Sequence, residues 1–221
     1  INGFGRIGRL VLRAIIESRR NDIQVVGIND LGPIETNAHL LKYDSVHGIY
    51  PGSIEVIDED ILKVDGDHMK CISIKNPRDL PWGDLDIDVV VESTGIFRYR
   101  ENLEEHIEAG AKKVILTVPP KDDIDATIVL GVNDHLLNGS EKLISNASCT
   151  TNCAGVLCKP IQDNFGIKQG FLITVHAFTM DQRLLDYPHS DMRRARAASQ
   201  SIIPTSTGAA KTLGQVIPEL K

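Results

Sequence analysis

Apolar runs of strand length alternate with polar and amphipathic segments along most of the chain. Such runs lie at residues 23–28, 86–91, 113–118, 126–132 and 142–144. One of the segments between them, residues 100–109, has helical spacing and is closed by Gly110. Between residues 50 and 78 the apolar and polar positions alternate with period two, which predicts an antiparallel excursion. The pattern predicts an α/β protein with a mainly parallel sheet and helices on both of its faces.

A glycine motif at the start of the chain predicts a dinucleotide site. Gly3, Gly5 and Gly8 have the spacing of the dinucleotide fingerprint, and an apolar stripe with helical period follows them. Such glycines make a tight turn, admit a pyrophosphate close to the backbone and let the helix pack on its strand. Asp30 follows the apolar run at 23–28, at a position where an acid can accept hydrogen bonds from ribose hydroxyls. We expect a Rossmann-type domain that prefers NAD, because Asp30 would repel the 2′-phosphate of NADP.

A second motif predicts a reactive thiol. Ser148 is a good capping residue, so a helix over about residues 149–165 would place Cys149 in its first turn. Free backbone N–H groups and the helix dipole favour an anion there and should lower the pKa of the thiol. His176 ends an apolar run, residues 171–176, that predicts a buried strand. The two side chains form the pair that covalent thiol catalysis needs, although a core thiol and a core histidine would fit the spacing equally well.

Composition matters chiefly for what it excludes. The 221-residue chain is 42% hydrophobic and has a formal net charge of −6, which argues against specific nucleic-acid binding. No apolar run approaches the length of a membrane span, so we expect no membrane association. Three of the four cysteines, Cys149, Cys153 and Cys158, crowd one predicted helix, which suits a reducing, cytoplasmic compartment. We attribute Cys153 to helix packing or a protective second thiol rather than to a metal pair or a disulfide, and expect no metal site.

Six stretches in order along the chain resemble the phosphorylating glyceraldehyde-3-phosphate dehydrogenase family. They are residues 2–9, 42–48, 92–97, 147–153, 193–197 and 207–211, of which the cysteine stretch is highly specific. The resemblance implies a Rossmann-type NAD-binding domain over residues 1–148, followed by an incomplete α+β catalytic domain of which residues 149–221 are the N-terminal part. Because the first strand lacks its beginning and the family's chains continue past the position of Lys221, we expect the chain to be truncated at both ends.

The same resemblance implies a reaction and the residues that serve it. Cys149 would attack the aldehyde of glyceraldehyde 3-phosphate, His176 would act as base, and inorganic phosphate would take the acyl group from the thioester as 1,3-bisphosphoglycerate. The residues expected to bind NAD are Gly3, Gly5, Arg6, Ile7, Gly8, Asp30, Arg78 and Thr117. Those expected to bind the two phosphates are Ser148, Thr150, Thr179, Arg194, Thr207 and Gly208. A homotetramer is implied as well, with an arginine-rich loop near a neighbouring subunit's cofactor.

Three alternatives stay open. Residues 197–204 are also similar to erythrose-4-phosphate dehydrogenase, although that relative usually lacks the Thr-Gly-Ala-Ala-Lys sequence found at 207–211. An NAD-binding interaction protein without turnover would explain the glycine motif but would not require Cys149 and His176. A thiol hydrolase would explain those two residues but would leave the glycine motif unused.

Overall fold

A computed structural model describes all 221 residues, which divide into two compact units, Ile1–Ser148 and Cys149–Lys221. The helices of the first unit are α1 (Arg6–Glu17), α2 (Ile34–Lys42) and α3 (Arg100–Glu108). Its strands are β1 (Gly27–Asn29), β2 (Tyr43–Asp44), β3 (Gly48–Ile49), β4 (Ile54–Asp58), β5 (Ile61–Val64), β6 (Asp67–Ile72), β7 (Val89–Glu92), β8 (Lys113–Leu116), β9 (Ala126–Thr127) and β10 (Leu143–Ser145). The second unit contains the helices α4 (Cys149–Phe165) and α5 (Ala209–Val216).

The first unit is built on a mixed sheet whose two halves meet at one residue. One half has the strand order β4–β5–β6–β1 and the other the order β7–β8–β10–β9. Asn2 lies between the halves and pairs in parallel with Asn29 of β1 and Glu92 of β7. All pairs in this sheet are parallel except those of the β4–β5–β6 excursion, and β2 and β3 form a separate antiparallel pair. The predicted α/β class and the antiparallel insertion are both confirmed. The strand order diverges at Asn2, and ligands of such sheets bind where it does so.

Two hydrophobic clusters cover the two halves of this sheet. Leu12 of α1 and Leu41 of α2 pack with Ile28 and Leu62 in the first cluster. Leu103 of α3 belongs to the second cluster, together with Trp82, Val90, Val114 and Leu143. Burying a side chain of this size contributes about 1.5 to 3 kcal/mol. The clusters therefore hold the helices against the sheet and keep the ends of the strands in place.

Several predicted boundaries in the first unit need correction. The apolar run at 23–28 pairs with other strands only from Gly27 onward, and Ile23 at its predicted start is 41% exposed. The run at 126–132 contributes only the two residues of β9. The helix predicted over 100–109 is confirmed, and Gly110 closes it with a φ of +110°, which glycine adopts without the steric cost of a side chain. Apolar content located these elements, whereas pairing with neighbours set their ends.

The second unit contains helices and no paired strand. The helix predicted over 149–165 is confirmed as α4, and α5 packs against it. The buried strand predicted over 171–176 is wrong, because no other strand pairs with the segment and Phe171, Ile173 and Val175 are about 90% exposed. A strand needs neighbours to satisfy its backbone N–H and C=O groups, and the run finds none. None of the protein's helices combines the length and apolar character that crossing a membrane demands.

Candidate active site

Cys149 and His176 form a close thiol–imidazole pair in the second unit. Cys149 is the first residue of α4, and its Sγ lies 3.1 Å from Nε2 of His176. Nδ1 of His176 lies 2.6 Å from the carbonyl oxygen of Ala177. A carbonyl oxygen can only accept, so Nδ1 carries the proton of that hydrogen bond and Nε2 faces the thiol. This is the arrangement of a nucleophile and an adjacent base that is itself oriented by a third group.

The surroundings of the pair favour its charged form. Burial raises the pKa of the Cys149 thiol, but the hydrogen bond from His176, the contribution of Thr150 and the charge of His176 outweigh it, so the thiol pKa is lowered. The carbonyl of Ala177 raises the pKa of His176, and Cys149 raises it further. The opposite shifts stabilise a thiolate beside an imidazolium. The thiolate is the reactive form of cysteine, so the site is suited to attack on an electrophilic carbon.

The three glycines of the dinucleotide fingerprint have different physical roles. Gly3 has a φ of +86°, and a Cβ there would lie 2.7 Å from the backbone nitrogen of Thr94. A Cβ on Gly8 would lie 2.2 Å from the carbonyl oxygen of Gly3, so only glycine lets α1 pack this closely. A Cβ on Gly5 would meet nothing within 4 Å. Gly3 and Gly8 are needed for the close packing of the turn and of α1. Gly5 faces open space where a ligand can approach the backbone.

The start of α1 supplies the complementary charge for a pyrophosphate. The helix begins at Arg6 after Gly5, no side chain caps it, and no acidic residue lies in its first turn. Its N–H groups and the positive end of its dipole are therefore suited to an anion. Asp30 accepts hydrogen bonds from the backbone N–H of Phe4 (2.7 Å) and of Gly32 (2.8 Å) and lines a cavity of about 300 Å³. The residues present thus fit a dinucleotide.

Family models match both units of the chain. Residues 1–100 match "Glyceraldehyde 3-phosphate dehydrogenase, NAD binding domain", and residues 148–221 match "Glyceraldehyde 3-phosphate dehydrogenase, C-terminal domain". The glyceraldehyde-3-phosphate dehydrogenase of Borreliella burgdorferi is 57% identical over 226 residues, a match that covers 100% of this chain and 66% of that protein. The chain belongs to the glyceraldehyde 3-phosphate dehydrogenase family.

Other family members match over the same extent. The chromosomal glyceraldehyde-3-phosphate dehydrogenase of Cupriavidus necator is 52% identical over 221 residues, covering 100% of this chain and 66% of that protein. The Thermotoga maritima protein is 54% identical over 216 residues, covering 98% of this chain and 64% of that protein. The chain therefore spans about two thirds of the length of the curated relatives that it matches.

The other residues predicted to bind the family's cofactor are held in different ways. Arg6 forms an ion pair of 3.0 Å with Asp44. The backbone N–H of His47, followed by that of Val46 and by Arg6 itself, keeps the pKa of Asp44 well below its ordinary value despite burial. Ile7 is 47% exposed on the first turn of α1. The structure thus leaves Ile7 accessible but engages the Arg6 guanidinium within the protein.

Arg78 and Thr117 occupy other parts of the first unit. Arg78 is exposed, and its guanidinium lies 3.0 Å from Glu108 and 4.0 Å from Glu105, both on α3. Thr117 directly follows β8, and its hydroxyl donates a hydrogen bond of 3.1 Å to the carbonyl oxygen of Glu92. Thr117 therefore lies beside the end of β7, at the carboxyl edge of the sheet, while Arg78 is tied to a helix.

Four of the six residues predicted to bind phosphate lie at two helix starts. Thr150 lies beside the pair, with its Oγ1 4.0 Å from Sγ of Cys149, and Ser148 directly precedes α4. Thr207 and Gly208 precede α5, where the Thr207 hydroxyl accepts a hydrogen bond of 3.2 Å from the N–H of Ala209. Both groups therefore lie at helix starts, where N–H groups suit an oxyanion.

Arg194 is held by a cluster that the sequence did not indicate. Its guanidinium forms an ion pair with Asp181 and donates to the Thr205 hydroxyl over 2.8 Å. The backbone N–H of Thr179 donates to Gln182 over 2.8 Å, which closes the turn that carries Asp181. A phosphate would have to compete with the Asp181 carboxylate for Arg194. The only sequence signal for this partner is that an acid follows Thr179 two residues later.

Proposed function

We propose that this chain carries out the NAD-dependent oxidation of glyceraldehyde 3-phosphate to 1,3-bisphosphoglycerate. Residues 1–148 would form its NAD-binding domain and residues 149–221 the N-terminal part of its catalytic domain. The single observation that carries the proposal is the 3.1 Å approach of Cys149 Sγ to His176 Nε2, with the thiol pKa lowered and the imidazole pKa raised. A non-catalytic binding protein would not require such a pair.

The chemistry follows from the pair. The Cys149 thiolate adds to the aldehyde carbon of the substrate, and the Nε2–H of the His176 imidazolium stabilises the oxygen that becomes negative and transfers its proton to it, which gives a thiohemiacetal and a neutral imidazole. His176 then takes the hydroxyl proton while a hydride leaves the same carbon. The chemistry that NAD supplies when bound is acceptance of that hydride at its nicotinamide ring. What stays on Cys149 is a thioester, which retains the energy of the oxidation.

Inorganic phosphate completes the reaction. Its oxygen attacks the thioester carbon, the Cys149–carbon bond breaks, and the acyl phosphate leaves with the thiolate restored. Ser148, Thr150, Thr207 and Gly208 would hold the attacking phosphate, and their positions at the starts of α4 and α5 support this assignment. Thr179 and Arg194 would hold the substrate phosphate, for which the planar guanidinium of Arg194 is suited.

Phosphate-dependent turnover tests the proposal. Initial formation of NADH is measured with glyceraldehyde 3-phosphate and NAD, with and without inorganic phosphate, for the wild-type protein and for Cys149→Ala. We expect phosphate to be required, and Cys149→Ala to abolish turnover while the Kd for NAD stays within about threefold, because the fingerprint glycines belong to the other unit. Sustained turnover without phosphate would contradict the proposal and would make erythrose 4-phosphate the next substrate to test.

We also propose a homotetramer in a reducing, cytoplasmic compartment. The second unit leaves large apolar side chains uncovered, among them Phe171 and Ile202, which are 91% and 89% exposed, and exposed apolar surface of this kind is typical of an interface. Three free thiols on α4 suit a reducing environment. Sedimentation equilibrium of the purified protein tests the assembly, and a monomer at micromolar concentration would contradict it.

A further inference from the structure

A continuous line of buried side chains connects α3 to the turn of the glycine fingerprint. The indole N–H of Trp82 donates to Nδ1 of His106 over 3.0 Å, and Nε2 of His106 lies 3.0 Å from the Glu92 carboxylate. The same carboxylate accepts from the side-chain amide of Asn2, whose oxygen accepts from Asn29 over 2.7 Å. Glu92 and His106 are fully buried, and Asn2 and Trp82 are 1% exposed. Such a network is stabilising only when every member is satisfied.

The donors and acceptors define the charges in this line. An indole nitrogen can only donate, so Nδ1 of His106 is unprotonated and Nε2 carries the proton that points at Glu92. Four donors converge on the Glu92 carboxylate, namely the Asn2 amide, His106 Nε2, and both the backbone N–H (2.8 Å) and the hydroxyl of Thr94. A group that receives four donors and gives none is an ionised carboxylate. Glu92 is therefore a fully buried anion beside a neutral histidine.

The Glu92 carboxylate holds the segment that packs against the fingerprint turn. Thr94 is held by Glu92 at both its N–H and its hydroxyl. Its backbone nitrogen is the atom that a Cβ on Gly3 would approach to 2.7 Å. Ser93 donates from its hydroxyl to the Gly3 carbonyl over 2.6 Å. Gly3 thus packs against the Ser93–Thr94 segment, and the hydrogen bonds from Thr94 to Glu92 hold that segment in place.

We propose that Glu92 and His106 are positioning residues for NAD, acting through Thr94 and Gly3 on the conformation of the fingerprint turn. The role presupposes the NAD binding proposed above. His106 lies on α3 and does not belong to the turn, yet its N–H holds the Glu92 carboxylate in the orientation that Thr94 requires. A purely structural pair would contribute to the stability of the unit without setting its affinity for NAD.

Three variants separate a role in NAD affinity from a role in stability alone, because each changes hydrogen bonds of the network and keeps a side chain in place. Glu92→Gln keeps the size of the side chain but turns an amide N–H₂ toward groups that are themselves donors. His106→Leu removes the N–H that holds Glu92, whereas His106→Gln retains an N–H donor. Asn133→Ala is the matched control, because Asn133 is 4% exposed and its amide bonds Val129 (2.8 Å) and Thr127 (2.9 Å), beside the edge strand β9.

The measurements are the Kd for NAD by isothermal titration and the melting temperature without ligand, on the full chain. We expect Glu92→Gln and His106→Leu to weaken NAD binding about tenfold or more, and His106→Gln to stay within about threefold of wild type. Asn133→Ala should lower the melting temperature without changing the Kd.

The inference is overturned if His106→Leu binds NAD as wild type does, or if Asn133→Ala weakens NAD binding as much as His106→Leu does. Should Glu92→Gln not fold, the two His106 variants decide the matter. A wild-type protein that does not bind NAD would instead overturn the proposed function.

Discussion

Two apolar runs of similar composition have opposite environments in the two units. Residues 89–92 form β7, which pairs with β8 on one side and with Asn2 on the other, and Val90 is 1% exposed. Residues 171–176 have no partner strand, and Val175 is 88% exposed. The runs differ in their neighbours and not in their hydrophobicity. An apolar run therefore indicates that a segment needs to be covered, whereas the rest of the fold determines whether it is.

The residues that end these runs differ in the same way. Glu92 ends β7 in full burial, with four donors that fix its orientation. His176 ends the exposed run and has one thiol and one carbonyl as partners. A buried and fully satisfied group is rigid and holds other groups in place. An exposed pair that shares a proton can titrate and react, so positioning, as proposed above, falls to the first unit and chemistry to the second.

Replacing His176 should have the largest effect on turnover, because it removes the imidazole beside the Cys149 thiol. We expect His176→Asn to lower turnover by about 10² to 10⁴-fold, the range typical of a lost general base. The pKa of Cys149 is lowered, so the thiolate is present above that pKa and is lost as pH falls through it. The pKa of His176 is raised, so the imidazolium is lost as pH rises through that pKa. The variant should therefore form thiolate only at higher pH.

Alkylation by iodoacetamide as a function of pH measures this shift. The midpoint for Cys149 should move to higher pH in His176→Asn, while the slower labelling of the half-buried Cys158 should keep its profile. Wild-type Cys149 should also react faster than Cys158 at neutral pH. An unchanged midpoint in the variant would show that His176 does not activate the thiol.

Two glycine substitutions should separate packing from binding within the first unit. Gly8→Ala places a Cβ 2.2 Å from a backbone oxygen and should lower the free energy of unfolding by about 1 to 3 kcal/mol. Gly5→Ser points into open space and retains a good capping residue, so stability should change by less than about 0.5 kcal/mol. Its side chain would occupy the approach to the N–H groups at the start of α1, so NAD affinity should fall by about tenfold.

Urea denaturation and NAD titration of both glycine variants provide the check. If Gly5→Ser bound NAD as wild type does, the ligand would not approach the backbone at this glycine. A stable Gly8→Ala variant would mean that α1 can move away from the turn without cost.

A pair of valine substitutions tests the opening comparison directly and should have the smallest effects. Val90→Ala removes two methyl groups from a buried strand and should cost about 2 kcal/mol of unfolding free energy. Val175→Ala should cost less than about 0.5 kcal/mol, because its side chain is exposed. Chemical denaturation of both variants measures the difference. Equal costs would show that the segment at 171–176 is covered in solution.

The parts of the fold that were predicted correctly depend on short-range signals. The start of α4 follows from capping residues, the end of α3 from Gly110, and the turn before α1 from the glycine spacing, all of which act within a few residues. The start of β1 and the fate of residues 171–176 depend on partners far away in the chain, and periodicity carries no information about them.

The candidate site shows the same division. Cys149 and His176 could be paired because Cys149 begins a recognisable helix and His176 ends a recognisable apolar run. The sequence shows no chemical partner for His106, and the structure shows this residue buried. Its spacing of three residues from Leu103 was a signal that it lies on the buried face of α3. Its acceptor, Glu92, lies on β7, and only the packing of α3 on the sheet brings the two together. The partner of Arg194 was missed for the same reason.

The position of Asn2 has a consequence for the order in which the first unit can assemble. Asn2 is the residue that joins the two half-sheets, and its amide bonds Glu92, 90 positions later. On the ribosome, at about 5 to 20 residues per second, Asn2 must wait several seconds or longer until that partner has been synthesised. Until then the β1 half has an open edge where Asn2 will be sandwiched. The segment around Asn2 is therefore synthesised well before its partner on β7 and is fixed in place only after that partner is made, so a pause before Glu92 would prolong the exposure of that edge.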